Sequence, residues 1–586
     1  MSSRSRLLRL PVAMCALLAL AGCASIPTSG PVRDGGDLRL QRADDGVSVI
    51  GEPPRAGASP TQIINGFLDA NADFQNDHQI ARLYLTAAAS RGWRPQAGTQ
   101  VYDKTELAVA QSSADASTFV FDAPPVGAIA GDGEYRRAAV GAAPVTRQFR
   151  LARVNGQWRI ADLDDGLLLS STELDDTYRQ VSLYFLAPTG VTVVPDPVLI
   201  PELPGLSTKV VARLLRGPTA SLRGAVTTAF PEGTSLDVSS VPVTDGVATV
   251  QLADTALKAD DTARQQMSAQ LVWTLKQLSG VTAVRIRVGG EDLQVNGTGA
   301  VQQATDWPSF DPDQVATNLS AYVELNGRIG RYLEGTFTPV LGEGGAARPR
   351  VRSPAVSLDN TRLAAVSADG RTVQVGPMAE DATLEPRIRG TELSSFSSPS
   401  WDRDKGLWVV DRADGVLWYL ANGSEQPQQV DVRAAVGDPI QGVRVSRDGA
   451  RVALLVGTGR QARLTIGAIR RVETADGERL SVASVAEPLP GLLGVRDMAW
   501  VDATHVEVLG SLEGASLRPY EVSVDGWRFP DIEPVPGPGQ AVSIAAAPPL
   551  GDTPLVAGTS DGRLWQFTSS SGWEEVGPGT QPAYPG

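Results

Sequence analysis

From about residue 60 onward the apolar residues change period several times along the chain, and each change marks a boundary between elements. Pro60 stands where a helix can begin, and Ile63, Ile64, Phe67 and Leu68 share one helical face. A second helix carrying Ile80, Leu83 and Tyr84 is expected after Asp77. The period then drops to two. Phe119 and Phe121 alternate with smaller or polar neighbours, and Phe149 and Leu151 are expected to face Trp158 and Ile160 across an Asn155-Gly156 turn. Helices followed by a hairpin-rich sheet predict an α+β unit over 60–180.

A second unit, 181–296, opens with a β-rich, proline-broken stretch from Leu183 to Val198. Ser207 is the expected cap of a helix with the face Val210, Val211, Leu214 and Leu215, stopped by Gly217-Pro218. Leu236 to Val243 and Val247 to Leu252 read as two strands around the turn Asp245-Gly246. A long amphipathic helix should place Met267, Leu271, Val272, Leu275 and Leu278 on one side, before a strand in which Val284, Ile286 and Val288 alternate with Arg285 and Arg287. This is again α+β.

Residues 297–320 read as a linker rich in Gly, Thr, Gln and Asp. Beyond it one pattern recurs: 353–357 leading to 363–366, 398–401 to 407–410, 443–446 to 452–455, 497–500 to 505–508, and 543–546 to 555–557. The spacing of roughly 45 to 50 residues matches one four-stranded propeller blade. An all-β propeller of five to seven blades is therefore expected over 321–586, closed by pairing of the segment Arg328 to Val340 with Leu564 to Phe567. Asp369-Gly370, Asp414-Gly415, Asp448-Gly449, Asp525-Gly526 and Asp561-Gly562 read as hairpin turns, because single Asp-Gly pairs lack the ligand count of a calcium loop.

The N-terminus follows another logic. Arg4, Arg6 and Arg9 precede an apolar run from Leu10 to Ala21, too short to span a bilayer, so 1–22 reads as an export signal. It ends in Leu20-Ala21-Gly22-Cys23, which resembles the bacterial lipobox. That resemblance implies cleavage between Gly22 and Cys23, with Cys23 becoming the N-acylated, S-diacylglyceryl first residue. Such acyl chains together exceed the two-signal threshold for stable anchoring. Residues 23–59, non-periodic and rich in Gly, Pro, Asp and Arg, would then tether the folded part outside the cell membrane.

Charge and chemistry narrow the function further. The 586-residue chain holds 52 Lys and Arg against 66 Asp and Glu, a net charge of −14 that becomes −17 once the three arginines of the signal are gone, so nucleic acid is not an expected partner. Two cysteines, Cys15 and Cys23, and two histidines, His78 and His505, leave little room for a metal site or a nucleophile-base pair, and no cofactor is expected. The carboxylate pairs Asp164/Asp165, Asp175/Asp176 and Asp260/Asp261 are adjacent in sequence and read as solvated charges or helix caps. Trp401, Trp408, Trp418, Trp500, Trp565 and Trp573 read first as packing between blades, and alternatively as the lining of a binding funnel. The chain is not expected to be an enzyme.

Several stretches carry family resemblances. The first unit's order of elements is similar to nuclear-transport-factor-2-like (NTF2-like) domains. Leu214-Leu215-Arg216-Gly217-Pro218, Phe230-Pro231-Glu232-Gly233-Thr234, Asp245-Gly246-Val247-Ala248-Thr249-Val250 and Trp273-Thr274-Leu275 resemble the GerMN module of surface lipoproteins. Together with the run from Gly22 to Pro31 and the propeller, the whole chain resembles the actinobacterial LpqB lipoproteins. The resemblance implies a lipid-anchored protein on the extracytoplasmic face of the cell membrane. It would touch the extracellular sensor domain of an MtrB-like histidine kinase in an MtrA/MtrB two-component system and affect cell-wall growth and division. The competing expectation is a cell-wall glycan-binding protein or envelope enzyme, which would need acidic and aromatic side chains converging at one mouth of the propeller.

Overall fold

The computed structural model describes residues 51–104, 108–111, 117–315, 319–333, 335–348, 350–432, 437–474, 477–548 and 555–586. The export signal, Gly22, Cys23 and most of the expected tether lie outside the described residues.

In the first module the helix Pro60–Ala70 begins as its sequence predicts. The Ser59 hydroxyl accepts from the Gln62 amide, the Gln62 side chain returns the bond, and Ile63, Ile64, Phe67 and Leu68 are buried. The second helix shrinks to Gln79–Arg82, and Leu83 is 46% exposed. Asn76, Asp77 and His78 all take positive φ just before it, so the chain enters from a left-handed run that leaves room for a single turn.

Eight strands form two four-stranded sheets, 108–111, 118–123, 145–154, 157–162 and 135–137, 125–129, 99–102, 167–170, each in spatial order. Asn155 and Gly156 make the expected turn with φ of 52° and 77°. A register shift after Arg150 alters the pairing across it: Leu151 meets Ile160, but Trp158 meets Arg153, and Phe149 pairs with Phe119 on the other side. Residues 51–59 are not free tether. The Gly51 amide donates to Asp73, the Tyr84 hydroxyl to the Glu52 carbonyl, and the Gly57 amide to Gln157.

In the middle module, Tyr178–Leu186 pairs antiparallel with Val193–Pro201. Val247–Leu252 runs parallel to Ala283–Val288, joined by the helix Asp261–Leu275. That helix is not amphipathic as expected, since every residue from Met267 to Leu275 is buried. Polar side chains of the helix and of the turn after it serve the open edge of Tyr178–Leu186: Thr274 accepts from the Tyr184 amide, Gln270 donates to the Tyr184 carbonyl, and Gln277, just past the helix, bonds both backbone groups of Ser182. Ser207 is no cap. The helix Leu206–Leu214 starts from Gly205 at φ 77°, and the Ser207 hydroxyl donates to the Val241 carbonyl. The strand expected from Leu236 shortens to Val243–Thr244 plus one bridge from Leu236 to Leu252.

The third module is a succession of six antiparallel sheets among the described residues. Val351–Val356, Ser400–Trp401, Ile440–Val445, Leu492–Trp500 and Ala541–Ala545 each open one sheet, and each is the first half of a sequence repeat. The closing strand differs from expectation. Leu564–Phe567 stays inside the last sheet, and it is Thr580–Ala583 that pairs with Tyr322–Leu325, beside Arg328–Leu333 and Thr336–Pro339. Gly579, at φ 152°, releases the chain from the last sheet so that its end can cover the otherwise open edge of the first. In the turns, hydroxyls of Ser367, Ser446, Ser523 and Thr559 donate to the carboxylates of Asp369, Asp448, Asp525 and Asp561, which confirms the Asp-Gly pairs there as architecture.

The expected linker 297–320 is built into the fold where it is described. Val301–Gln302 joins the middle sheet, Trp307 is buried in that module's core, and Asp313 accepts from the Ala503 amide. Its polar composition hid this, because part of the segment is held by backbone and carboxylate bonds. The modules also touch directly. The Gly133 carbonyl accepts from the Leu199 amide, Arg451 donates to the Pro195 carbonyl at 2.7 Å, Gln180 donates to Asp525 at 2.6 Å, and the Tyr135 and Trp527 rings meet edge to face at 5.2 Å.

Candidate functional site

The residues singled out for chemistry do not assemble. His78 is buried between the rings of Phe74 and Trp93 in the first module, and burial lowers its pKa. His505 starts a propeller strand; burial opposes its charge, but the Asp502 carboxylate 3.0 Å from Nδ1 raises its pKa. Asp165 pairs with Arg94, Asp175 with Arg528 of the propeller, and Asp260 caps the middle helix. Among the described residues no three His, Cys, Asp or Glu side chains sit together as metal ligands, and no helix is long and apolar enough to cross a membrane.

The tryptophans hold sheets together. Trp401 Nε1 donates to the Ala355 carbonyl of the preceding sheet at 3.0 Å, and Trp500 Nε1 to the Arg444 carbonyl of its own preceding sheet, also at 3.0 Å. Trp408 turns inward to Asp402. A buried indole with a satisfied N–H is packing, not a sugar platform.

What the ring of first strands does create is a narrow axial cavity of about 120 Å³, and its two ends differ in chemistry. At one end Arg447, 5% exposed, donates to the carbonyls of Trp500, Val501 and Ala546, tying its own sheet to the next two. Burial lowers its pKa to about 10, against the pull of Asp313 and Asp502. Asp313 sits across this end with its own pKa pushed up to about 7, by burial first and by the neighbouring Asp502 second. The Asp311 carbonyl accepts from Arg403, so the segment from the middle module closes the opening.

At the other end stand Arg412, Arg444 and Arg496, with Asp497 as the acidic side chain of the lining. Arg444 donates to the Ser398 carbonyl and, at 3.3 Å, to Asp497, whose second oxygen accepts from the Ile544 amide. This belt crosses four sheets. Arg412 spends Nε on the Gln441 carbonyl, and Arg496 is exposed. Desolvation by the channel wall, together with the positive charge of Arg444 and Arg352, lowers the Arg412 pKa against the opposing effect of Asp497. The acidic and aromatic convergence required of a glycan funnel is not met in this lining, where Trp500 faces its neighbouring sheet and Asp497 is paired.

None of these arginines stood out in the sequence. Arg412, Arg444 and Arg496 belong to three different repeats, Arg412 just after a second strand and the other two within first strands, so no common sequence position flagged them. A second cavity, about 590 Å³, lies where the three modules meet, lined among others by Tyr135, Asp196, Arg451 and Asp525. Burial raises the Asp196 pKa to about 6, although it accepts from both the amide and the hydroxyl of Thr219.

Comparison with known proteins agrees with this division into modules. Residues 53–175 match the N-terminal domain of lipoprotein LpqB, 182–294 the sporulation and spore germination domain Germane, and 327–585 the lipoprotein LpqB β-propeller domain. Lipoprotein LpqB of Thermobifida fusca is 31% identical over 98% of each chain, and that of Mycobacterium bovis 28% identical over 99% of this chain and all of its own. Among solved structures, TolB of Acinetobacter baumannii aligns with 46% of this chain and 66% of its own at 15% identity and a TM-score of 0.35. The tandem GerMN domains of GerM from Bacillus subtilis align with 26% of this chain and 59% of their own at 17% identity and a TM-score of 0.19. With three successive domains matched and full-length relatives above 30% identity, the chain belongs to the LpqB lipoprotein family.

Proposed function

We propose that this protein is a non-enzymatic docking module, anchored through lipidated Cys23 to the extracytoplasmic face of the cell membrane, where it binds and modulates the sensor domain of an MtrB-like histidine kinase. The first module acts in it as an NTF2-like unit, and the third as a six-bladed propeller. The observation that carries the reading is the lipobox-like run Leu20-Ala21-Gly22-Cys23 at the head of a chain related along its length to lipoproteins. A tether confines the folded modules within tens of ångströms of a membrane-embedded partner, so the effective concentration approaches the millimolar range and a weak interface suffices. The direct ties between the three modules favour presentation of one composite surface over three independent ones.

Cys23→Ala is expected to move the protein from the membrane to the soluble fraction and to weaken kinase modulation in cells. Unchanged fractionation of the variant would refute the anchor. For the partner, crosslinking in living cells should recover the kinase sensor domain. Recovery of peptidoglycan in its place would favour the glycan-binding alternative.

A further inference from the structure

The open end of the propeller channel has an ionic imbalance among its lining side chains. In a chain of net charge −14, Arg412, Arg444 and Arg496 converge there against Asp497, and Asp497 is already committed to Arg444 and the Ile544 amide. The fold supports this convergence. The first strands Val351–Val356, Ile440–Val445, Leu492–Trp500 and Ala541–Ala545 each carry a register shift against their second strands near this end, and such bulges re-aim side chains beside binding sites. Ser543, which also lines the cavity, has a buried hydroxyl with no protein partner.

We propose that this mouth is a recognition site for a short acidic segment of a polypeptide, whose carboxylates pair with Arg412 and Arg496 while Arg444 positions Asp497 and the wall. Guanidinium-carboxylate pairs are bidentate and direction-specific, which suits groups arrayed around a narrow opening. The cavity is narrow, about 120 Å³, which suits entry of a side-chain carboxylate. The site goes beyond the kinase reading and does not depend on it.

The test uses the full mature chain in detergent, with fluorescein-labelled penta-glutamate and penta-glutamine followed by fluorescence anisotropy at low and physiological salt. Saturable, salt-sensitive binding of penta-glutamate and none of penta-glutamine is expected. The double variant Arg412→Gln/Arg496→Gln should weaken that binding about tenfold or more, while Arg55→Gln, an exposed arginine of the first module, leaves it unchanged. Equal binding by the double variant, absence of binding to the native chain, or displacement by inorganic phosphate as effectively as by unlabelled penta-glutamate would overturn the proposal. Capture of the kinase sensor domain by a chain that fails to bind the peptide would overturn this site and leave the proposed function standing.

Discussion

The two ends of the propeller channel carry the same residue type in opposite circumstances. Arg447 is buried, donates to three carbonyls from two sheets, and is covered by a segment of the preceding module. Arg412 and Arg496 line the cavity yet are exposed, and Arg412 bonds the Gln441 carbonyl through Nε. A buried guanidinium whose donors meet carbonyls is a fastener, because removing it leaves carbonyls without partners in a medium that penalises them. An arginine with unspent donors at an opening contributes little to stability and is available to a ligand. The ring thus uses arginine to close one end and to equip the other.

Replacement at the closed end tests this most severely. Arg447→Met keeps much of the volume but strands the carbonyls of Trp500, Val501 and Ala546 and leaves Asp313 and Asp502 without their cation, so a loss of about 3–5 kcal/mol in chemical denaturation is expected. A loss under 1 kcal/mol would erase the distinction between the ends.

The next effect is pH-dependent. Because the folded-state pKa of Asp313 lies above its unfolded value, the folded chain binds the extra proton, and stability declines as pH rises from about 4 to 7. Asp313→Asn retains the oxygen that accepts from Ala503 and should flatten that decline by roughly 2–4 kcal/mol in melting experiments across the window. Retention of the full slope in the variant would assign the effect elsewhere, Asp196 being the other strongly raised carboxyl of a module boundary. Smallest of all, Arg496→Gln at the open end should change stability by less than about 0.5 kcal/mol, and a larger loss would make that arginine a fastener too.

Much of the architecture was legible because it rests on local chemistry. Ser59 and Gln62 cap a helix whatever surrounds it, Asn155-Gly156 and Asp245-Gly246 accept positive φ, and the five repeated strand pairs announce a sheet each. Misreadings came where distant groups overrode local pattern. Leu206–Leu214 starts at Gly205 because Ser207 is claimed by Val241, and the C-terminal half of the helix Asp261–Leu275 is buried all round because Gln270 and Thr274 serve a strand some ninety residues earlier in the chain. The segment 297–315 looks like a linker in composition, yet it holds one end of the channel through Asp311 and Asp313.

By itself the sequence determined the succession of two α+β units and a repeating β-unit and the turn chemistry between strands. Those features are set by residues within a few positions of one another. Only the tertiary structure decided which arginines matter: Arg412, Arg444 and Arg496 line one cavity because successive sheets turn about one axis, and Arg447 becomes a fastener because the two sheets that follow its own bring the carbonyls of Trp500, Val501 and Ala546 within its reach. Electrostatic consequences depend on distance and burial, and a linear chain states neither until the ring is closed.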